Sequence, residues 1–269
     1  MTKVKVNRLE STQNDHVKRW KKLQTRKGRE KANSMLIEGE HLLSEALKSP
    51  HITISHIIVE GDSQEIVSSY LKRFPTISDF PIFLLSPSLF RQIAETESPQ
   101  KIMAEISLPK SDMIVSADGF YLLLDRIQDP GNLGTLLRTA QAVGVTQVIV
   151  GKGTVDPYNG KVVRSSMGAI LHVPLAQEDL KEVILCLQQH KISVVGTSLH
   201  TEIMYDEADY SSGCAILLGN EGQGVDPALQ EMVDQTVRIP MPGGTESLNV
   251  AIAGGLLLYE KIRQNRNHL

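Results

Sequence analysis

The chain has 269 residues, of which 41% are hydrophobic, 22% charged and 4% aromatic, and its formal net charge is −3 at pH 7. This length is comfortable for two domains, and the composition excludes a disordered or fibrous chain. No apolar run reaches the ~18–20 residues of a membrane span, and the N-terminus lacks the apolar stretch of a secretory signal. Cys186 and Cys214 are isolated, which argues against a disulfide framework and a zinc site. We therefore expect a cytoplasmic protein with no membrane or metal partner.

Positive charge is concentrated at the N-terminus. Residues 1–31 carry eleven Lys and Arg against three acidic residues, a net charge of +8, whereas the rest of the chain carries −11. Such a basic segment on an acidic body is typical of a protein that meets a polyanion, although a solvated tail would show the same pattern. Trp20, between Arg19 and Lys21, favours contact with a base or a sugar. We predict a basic arm or helix over 1–31, with these candidate contacts: Lys18, Arg19, Lys21, Lys22, Arg26, Lys27 and Arg29.

The next segment, residues 32–108, is predicted to form a small mixed α/β domain. Apolar residues at helical spacing and short β-branched runs alternate along it. The expected helices lie at 40–48, 64–74 and 87–95, and the expected strands at 52–59, 81–85 and 102–106. A polar stretch at 109–117 is predicted to be a linker.

From residue 118 to 269 the pattern changes to continuous apolar runs separated by helix-like segments. The runs lie at 120–124, 148–150, 171–173, 192–196, 215–219 and 237–240, and the helices at 133–143, at 178–189 and from near Ser247 onward. Strands of this kind alternating with helices predict a parallel sheet covered on both faces. Ligands of such sheets bind at the loops beyond the carboxyl ends of the strands. The candidate functional residues lie in three such loops, which follow the runs at 120–124, 215–219 and 237–240.

The loop after the first of these strands has neither the GxGxxG pattern of dinucleotide-binding proteins nor a phosphate-binding GxxxxGK[ST] pattern. Asn132 follows a Pro-Gly turn, which predicts a position near the N-cap of a helix. Arg138 lies on that helix among apolar residues. It suits either a surface ion pair or a contact with a phosphate or oxyanion, and the residues alone leave both interpretations open.

The other two loops are rich in glycine. In GNEGQGVDP, residues 219–227, Glu221 stands between glycines that allow backbone to approach a ligand closely, although a solvated acid is an equal alternative. In the last segment, Ser247 and Asn249 are typical helix caps. Gly254 and Gly255 inside the following helix each cost ~1 kcal/mol relative to alanine. We therefore expect something to pack very close to them, whether a knot, a ligand or a partner helix.

Together the three segments resemble a known family. Asn132 with Arg138 six residues on, GNEGQG after a later strand, and IPMPGGTESLNVAIA before the last helix are similar to the three signature motifs of SpoU-type (TrmH-like) RNA ribose 2′-O-methyltransferases of the SPOUT, or α/β-knot, superfamily. The resemblance implies a C-terminal parallel α/β domain with a deep trefoil knot over 118–269. MLIEGEHLLSEAL, within 32–108, resembles the L30-like domain with which many members bind RNA.

The resemblance also implies the chemistry. S-adenosylmethionine would be the cofactor, without a metal, and RNA the polyanion. The implied cofactor contacts are Thr197, Leu218, Gly219, Ile239, Met241 and Leu248, and the implied catalytic residues are Arg138, Asn132, Glu221, Ser247 and Asn249. Because a guanidinium stays charged, Arg138 suits a stabiliser of the 2′-alkoxide better than a base. Glu221 would orient the ribose or hold Arg138, and the sequence does not decide which.

The expected assembly is a homodimer through the knot region and the C-terminal helix. A separate N-terminal domain favours large-subunit (23S) ribosomal RNA over transfer RNA, with guanosine as the commoner target. Two other classes stay open, namely an RNA-binding protein that has lost catalysis and a nucleotide-dependent α/β enzyme such as a dehydrogenase. The intact motif residues argue against the first, and the missing GxGxxG against the second.

Overall fold

The protein is described by a computed structural model that covers residues 5–266. It divides into two compact units. The first comprises the residues up to Pro109 together with Tyr158–Val163, and the second comprises Lys110–Pro157 and the residues from Arg164 on. Each unit contains its own sheet.

The first unit is built on a five-stranded mixed sheet. In chain order its elements are β1 (Val6–Leu9), α1 (Asp15–Leu23), α2 (Arg26–Ala32), β2 (Ser34–Glu38), α3 (Glu40–Lys48), β3 (Ile54–Glu60), α4 (Gln64–Arg73), a 3₁₀ helix (Pro75–Asp79), β4 (Ile82–Leu85), α5 (Pro87–Arg91) and β5 (Ile102–Ser107). The strand order is β1-β4-β3-β5-β2, with β5 antiparallel to both of its neighbours. The helices and strands expected between 40 and 107 are confirmed to within a few residues.

The basic segment is not a separate arm, although the helix predicted as the alternative is present as α1 and α2. Residues 6–9 form β1 and pair with β4, while Val17, Trp20 and Leu23 on α1 are buried in the core of the first unit. Apolar residues recur on one face of α1, and burial of that face holds the helix in the unit while Lys18 and Lys22 stay exposed. Trp20 is 0% exposed, so the predicted contact with a base or a sugar is excluded for it. Residues 1–4 of the predicted arm lie outside the described residues.

The second unit is built on a six-stranded sheet that is parallel throughout. Its elements are β6 (Phe120–Leu124), α6 (Pro130–Ala142), β7 (Gln147–Val150), α7 (Gly160–Ser165), whose first residues group with the first unit, a 3₁₀ turn (Ala169–Leu171), β8 (Leu175–Gln177), α8 (Leu180–Gln189), β9 (Ser193–Thr197), β10 (Cys214–Leu218), α9 (Pro227–Gln230), β11 (Gln235–Val237) and α10 (Val250–Gln264). The strand order is β11-β9-β10-β6-β7-β8. The predicted parallel α/β domain is therefore confirmed. Within the described residues, no helix has the length and apolar character needed to cross a bilayer.

The strand predicted at 171–173 was wrong. Residues 169–171 form a 3₁₀ turn after Gly168, whose φ is +88°, and the strand begins only at Leu175, after Pro174. Ile170 and Leu171 are nevertheless buried. A short apolar run shows that its residues are buried but does not distinguish a buried turn from a buried strand.

Gly254 marks a close approach between elements of the second unit. A Cβ at this position would lie 2.5 Å from Leu136 Cδ2 on α6 and 2.7 Å from Leu218 Cδ1 on β10, so a larger residue would require both leucine side chains to shift. The expected close packing is thereby confirmed for Gly254. At Gly255 a Cβ would meet no atom of the described residues within 4 Å.

Candidate active site

A cavity of about 610 Å³ opens beside the carboxyl ends of three neighbouring strands, β9, β10 and β11. This is the edge at which parallel sheets bind ligands, and the volume lies in the usual range for a small-molecule site. All six residues predicted to contact the cofactor line it: Thr197, Leu218, Gly219, Ile239, Met241 and Leu248. Glu221 and Ser247 line it as well, whereas Asn132, Arg138 and Asn249 do not.

The glycine-rich loop after β10 forms one wall of the cavity by folding back on itself. Asn220 and Gly224 exchange two backbone hydrogen bonds, each of 2.9 Å, and Gly224 has φ +73°. A Cβ on Gly219 would lie 2.1 Å from the backbone nitrogen of Val225. Both glycines are therefore required, one by its conformation and the other by the close approach of backbone.

A chain of hydrogen bonds connects the three signature segments. Asn132 Nδ2 donates to Glu221 Oε1 over 3.1 Å, and Asn132 Oδ1 accepts from Asn249 Nδ2 over 2.9 Å. Asn249 Oδ1 in turn accepts from the backbone amide of Ala251 and caps α10, as predicted for Asn249. Three of the five residues predicted to be catalytic are thus brought together.

Asn132 lies near the N-cap of α6, as predicted, but it is not the cap itself. Asp129 is the N-cap of α6 and accepts from the backbone amide of Asn132 over 2.9 Å. Because Asp129 provides the cap, the side chain of Asn132 joins Glu221 to Asn249 instead. Ser247 does not cap α10 either, because the helix begins at Val250.

Glu221 is held as a carboxylate. Besides Asn132, the backbone amides of Gln128 and Asp129 donate to it, over 3.2 and 3.1 Å. Partial burial would raise the pKa of Glu221, but the hydrogen bonds from Asn132 and from the two backbone amides outweigh it and lower that pKa. These contacts join Glu221 to the start of α6. Of the two roles that the sequence left open for Glu221, holding Arg138 is therefore not observed among residues 5–266.

Arg138 lies on the exposed surface of α6. Its guanidinium makes no hydrogen bond and no ion pair with any residue between 5 and 266, so the surface ion pair considered from the sequence is absent from the described part of the chain. A guanidinium without a partner keeps its donors available for a phosphate or an alkoxide.

Two further residues of the cavity, Gln230 and Arg238, could not be predicted from the sequence motifs. Both line it, and Gln230 Nε2 and Arg238 Nε are buried without a hydrogen-bond partner. A buried donor without an acceptor is unfavourable by roughly 1–3 kcal/mol. Two such donors beside a cavity of this size fit a ligand rich in acceptors, and S-adenosylmethionine, with its carboxylate, ribose and adenine, is such a ligand.

The seven basic residues that were predicted to contact RNA fall into two groups. Lys18, Lys22 and Lys27 are exposed. The others have partners: Lys21 donates to Gln92, Arg26 pairs with Glu30, Arg19 pairs with Glu105, and Arg29 is 5% exposed and donates to the Leu23 carbonyl. The prediction that Arg29 contacts RNA is contradicted, because its guanidinium lies inside the first unit.

Residues 119–259 match the model of the SpoU rRNA Methylase family, and residues 14–104 match that of the MRM3-like substrate binding domain. The chain belongs to the SpoU rRNA methylase family. The resemblance drawn from the three motifs is therefore confirmed, as is the presence of an N-terminal substrate-binding domain. The match to that domain begins at residue 14, inside the basic segment, in agreement with the burial of α1.

Several relatives are similar over almost the whole chain. The 23S rRNA (guanosine(2553)-2′-O)-methyltransferase RlmP of Bacillus subtilis is 41% identical, and the match covers 94% of this chain and 98% of the relative. An AdoMet-bound rRNA methyltransferase from Sinorhizobium meliloti superimposes with a TM-score of 0.83 at 29% identity, over 96% and 98% of the two chains. The AdoMet complex of the SpoU methyltransferase AviRb from Streptomyces viridochromogenes has a TM-score of 0.84 at 28% identity, over 94% and 99%.

The SpoU methylase described here is an S-adenosylmethionine-dependent RNA ribose 2′-O-methyltransferase. The dehydrogenase alternative is thereby excluded, and so is a non-catalytic RNA-binding role. Among residues 5–266 no group of three or more His, Cys, Asp or Glu side chains is placed to hold a metal ion.

Proposed function

We propose that this SpoU methylase modifies a guanosine of 23S ribosomal RNA in the cytoplasm. The similarity to RlmP carries this proposal, because it extends through both the methylase domain and the substrate-binding domain. An enzyme specific for transfer RNA is the second candidate.

Mapping of 2′-O-methyl groups in RNA from cells with and without the gene tests the substrate. We expect one guanosine of 23S rRNA to lose its methyl group and to regain it when the purified enzyme is added to that RNA. A loss confined to transfer RNA would overturn the choice of substrate while leaving the reaction class intact.

The cavity is the proposed cofactor site. S-adenosylmethionine supplies a methyl group on a sulfonium. Thr197, Leu218, Gly219, Ile239, Met241 and Leu248 would contact it, and Gln230 and Arg238 would donate to its acceptor atoms. A site shaped by apolar residues and a few placed donors is typical of a selective small-molecule site.

S-adenosylmethionine and S-adenosylhomocysteine should therefore raise the melting temperature of the protein, whereas NADH and ATP should not. The expected shift grows with ligand concentration, because only the folded state offers the cavity. Differential scanning calorimetry with all four ligands at millimolar concentration measures it. Equal shifts with all four ligands, or none with the first two, would contradict the proposed site.

The remaining signature residues are proposed to act on the ribose. Arg138 would stabilise the negative charge that develops on the 2′-oxygen, since a guanidinium cannot readily accept the proton itself. Glu221, Asn132 and Asn249 would hold the segments of the site in register through their hydrogen bonds. Ser247 lies at the cavity and is available to orient the ribose or the cofactor.

Lys18, Lys22 and Lys27 are the basic residues best placed for RNA phosphates, because they are exposed and unpaired within the described residues. Replacing all three by Gln should weaken binding to 23S rRNA fragments and lower the slope of log Kd against log salt by about 2–3, at ~0.7–0.9 per phosphate contact. Filter binding over a series of salt concentrations measures the slope. The matched control replaces the exposed Lys72, Lys110 and Lys181 by Gln, which removes the same charge from elsewhere. Equal slopes for the two triple variants would remove the basic face from RNA binding.

A homodimer through α10 and a trefoil knot are also proposed. Four apolar residues, at the start of α10 and along it, are partly exposed: Leu248 at 37%, Ile252 at 58%, Leu256 at 38% and Tyr259 at 54%. An apolar stripe of this kind is typical of a protein interface. For the knot, β11 lies at the edge of the sheet, yet the following α10 packs on α6 and on the central β10. The chain must therefore return across the sheet, as a knotted path would require.

A further inference from the structure

The loop that carries Glu221 has little apolar packing of its own. Residues 221–224 are all exposed, and two of the four are glycine. A loop of this composition samples many conformations unless polar contacts restrain it. Besides the contacts of Glu221 with the start of α6, restraints come from the end of the neighbouring strand β6, at Asp125 and Arg126.

The Arg126 side chain contacts both the neighbouring Asp125 and the glycine-rich loop after β10. Its Nε and Nη2 donate to the carboxylate of Asp125 over 3.0–3.1 Å, and its Nη1 and Nη2 donate to Gln223 Oε1 over 3.2 Å and to the Gly224 carbonyl over 3.4 Å. The backbone carbonyl of Arg126 accepts from Asn220 Nδ2 over 2.9 Å. The Arg126 side chain therefore contacts two residues of the cavity wall, Gln223 and Gly224, and the backbone of residue 126 contacts a third, Asn220.

Asp125 also restrains the loop. Its side chain is largely buried, and Oδ2 accepts from the backbone amide of Asp226 over 2.8 Å, at the far end of the same loop. The paired Arg126 compensates its charge, which would otherwise be unfavourable in a buried position. The Asp125–Arg126 pair thus fixes the loop at Asn220, at Gln223 and Gly224, and at Asp226.

The backbone at Arg126 adopts a conformation that is unfavourable for an arginine. Its φ is +53°, a left-handed conformation that is unfavourable for residues with a side chain and that glycine adopts freely. Such strain persists where the surrounding contacts compensate for it, and it is frequent at ligand sites. Glycine at 126 would be the easier choice for the turn, so the arginine contributes something other than the turn.

We infer that Arg126, held by Asp125, is a positioning residue that keeps the 219–226 loop in the conformation that binds S-adenosylmethionine. This inference rests on the proposed placement of the cofactor in the cavity. If the binding conformation is populated only one tenth of the time without the clamp, the apparent Kd rises ~10-fold, because affinity falls with the competent fraction.

Two substitutions separate positioning from stability. Arg126→Ala removes the clamp and keeps the strained φ, whereas Arg126→Gly removes the clamp and relieves the strain. We expect the glycine variant to melt at a higher temperature than the alanine variant. Both should bind S-adenosylmethionine ~10-fold more weakly than the unaltered protein, by isothermal titration calorimetry. Arg126→Lys should restore little, because lysine lacks the fork that reaches Asp125 and Gln223 together.

Hydrogen exchange of the free full-length proteins provides a second readout. Amides 220–226 should exchange faster in both variants, while those of β6 and β10 stay protected. Arg91→Ala, which changes an exposed arginine of the first unit, is the control and should leave both readouts unchanged. Wild-type affinity in the glycine variant would show that Arg126 matters only for stability and would overturn the inference. Absence of binding by the unaltered protein would instead overturn the proposed cofactor site, and this inference with it.

Discussion

Substitution of Arg138 by Ala is expected to lower the rate of methyl transfer by ~10²–10³, the usual effect of removing one preorganised donor that stabilises developing charge. The fold and cofactor binding should not change, because the guanidinium is exposed, has no partner among residues 5–266 and does not line the cavity. The rate should be measured by single-turnover methylation of the cognate RNA, so that product release does not mask the chemical step.

Arg138→Lys distinguishes charge from geometry. A lysine provides a point charge on a flexible stem and should restore little activity if two donors must face the 2′-oxygen or an adjacent phosphate. A near-native rate for this variant would show that positive charge alone is sufficient. The matched control is Arg91→Ala, which removes an exposed arginine of the first unit and should leave the rate unchanged. If Arg138→Ala itself transferred methyl groups at a near-native rate, Arg138 would have no part in the mechanism.

The second unit could be predicted from local sequence for a physical reason. Strands of a parallel sheet are buried on both faces, so runs such as Phe120–Leu124 and Cys214–Leu218 are apolar without interruption. The same criterion failed at 171–173, where Leu171 and Val173 are buried although they belong to no strand. An apolar run indicates that its residues are buried. It indicates a strand only when the neighbouring glycines and prolines also fit the ends of a strand.

The contacts within the site could not be predicted in this way. Glu221 meets Asn132 across 89 residues of sequence, and Asn249 meets Asn132 across 117. The resemblance of the motifs indicated that these residues act together, but only the fold shows that Glu221 binds the start of α6. Gln230 and Arg238 belong to none of the motifs considered, and only the position of their unpaired donors at the cavity reveals them.

In the first unit, the count of charges did not predict that residues of the basic segment belong to the core. The position of Trp20 between cations predicts contact with a base or a sugar, yet its Nε1 donates to Glu105 Oε2 over 2.9 Å inside the unit. Glu105 is 0% exposed and also accepts from Arg19, Ser34 and His56. The acid that compensates Arg19 lies 86 residues away in sequence, so a local count of charge overestimates how much of the segment is free for RNA.

This arrangement predicts a pH-dependent stability of the first unit. Burial alone would raise the pKa of Glu105, but the hydrogen bonds from His56, Arg19 and Trp20 outweigh it and lower the pKa from 4.5 to about 2. Because the folded-state pKa lies below the unfolded one, Glu105 stabilises the unit above pH 4.5, and this contribution is lost as the pH falls towards 2. Its size is roughly 3 kcal/mol in the free energy of unfolding.

Trp20 is the single tryptophan of the chain, so its fluorescence reports the unfolding of the first unit. Urea titrations should give a free energy of unfolding that declines by roughly 3 kcal/mol between pH 5 and pH 2, beyond the decline shared with the variant. In Glu105→Gln this decline should be missing, and the variant should already be less stable at pH 7 by about 3 kcal/mol, because the contribution of the Glu105 carboxylate is then absent at every pH. Glu97→Gln, which changes an exposed glutamate of the same unit, should follow the unaltered protein at every pH. Parallel pH curves for the unaltered protein and Glu105→Gln would mean that the carboxylate does not hold the unit together, and the cluster around Trp20 would then depend on its apolar and ring contacts alone.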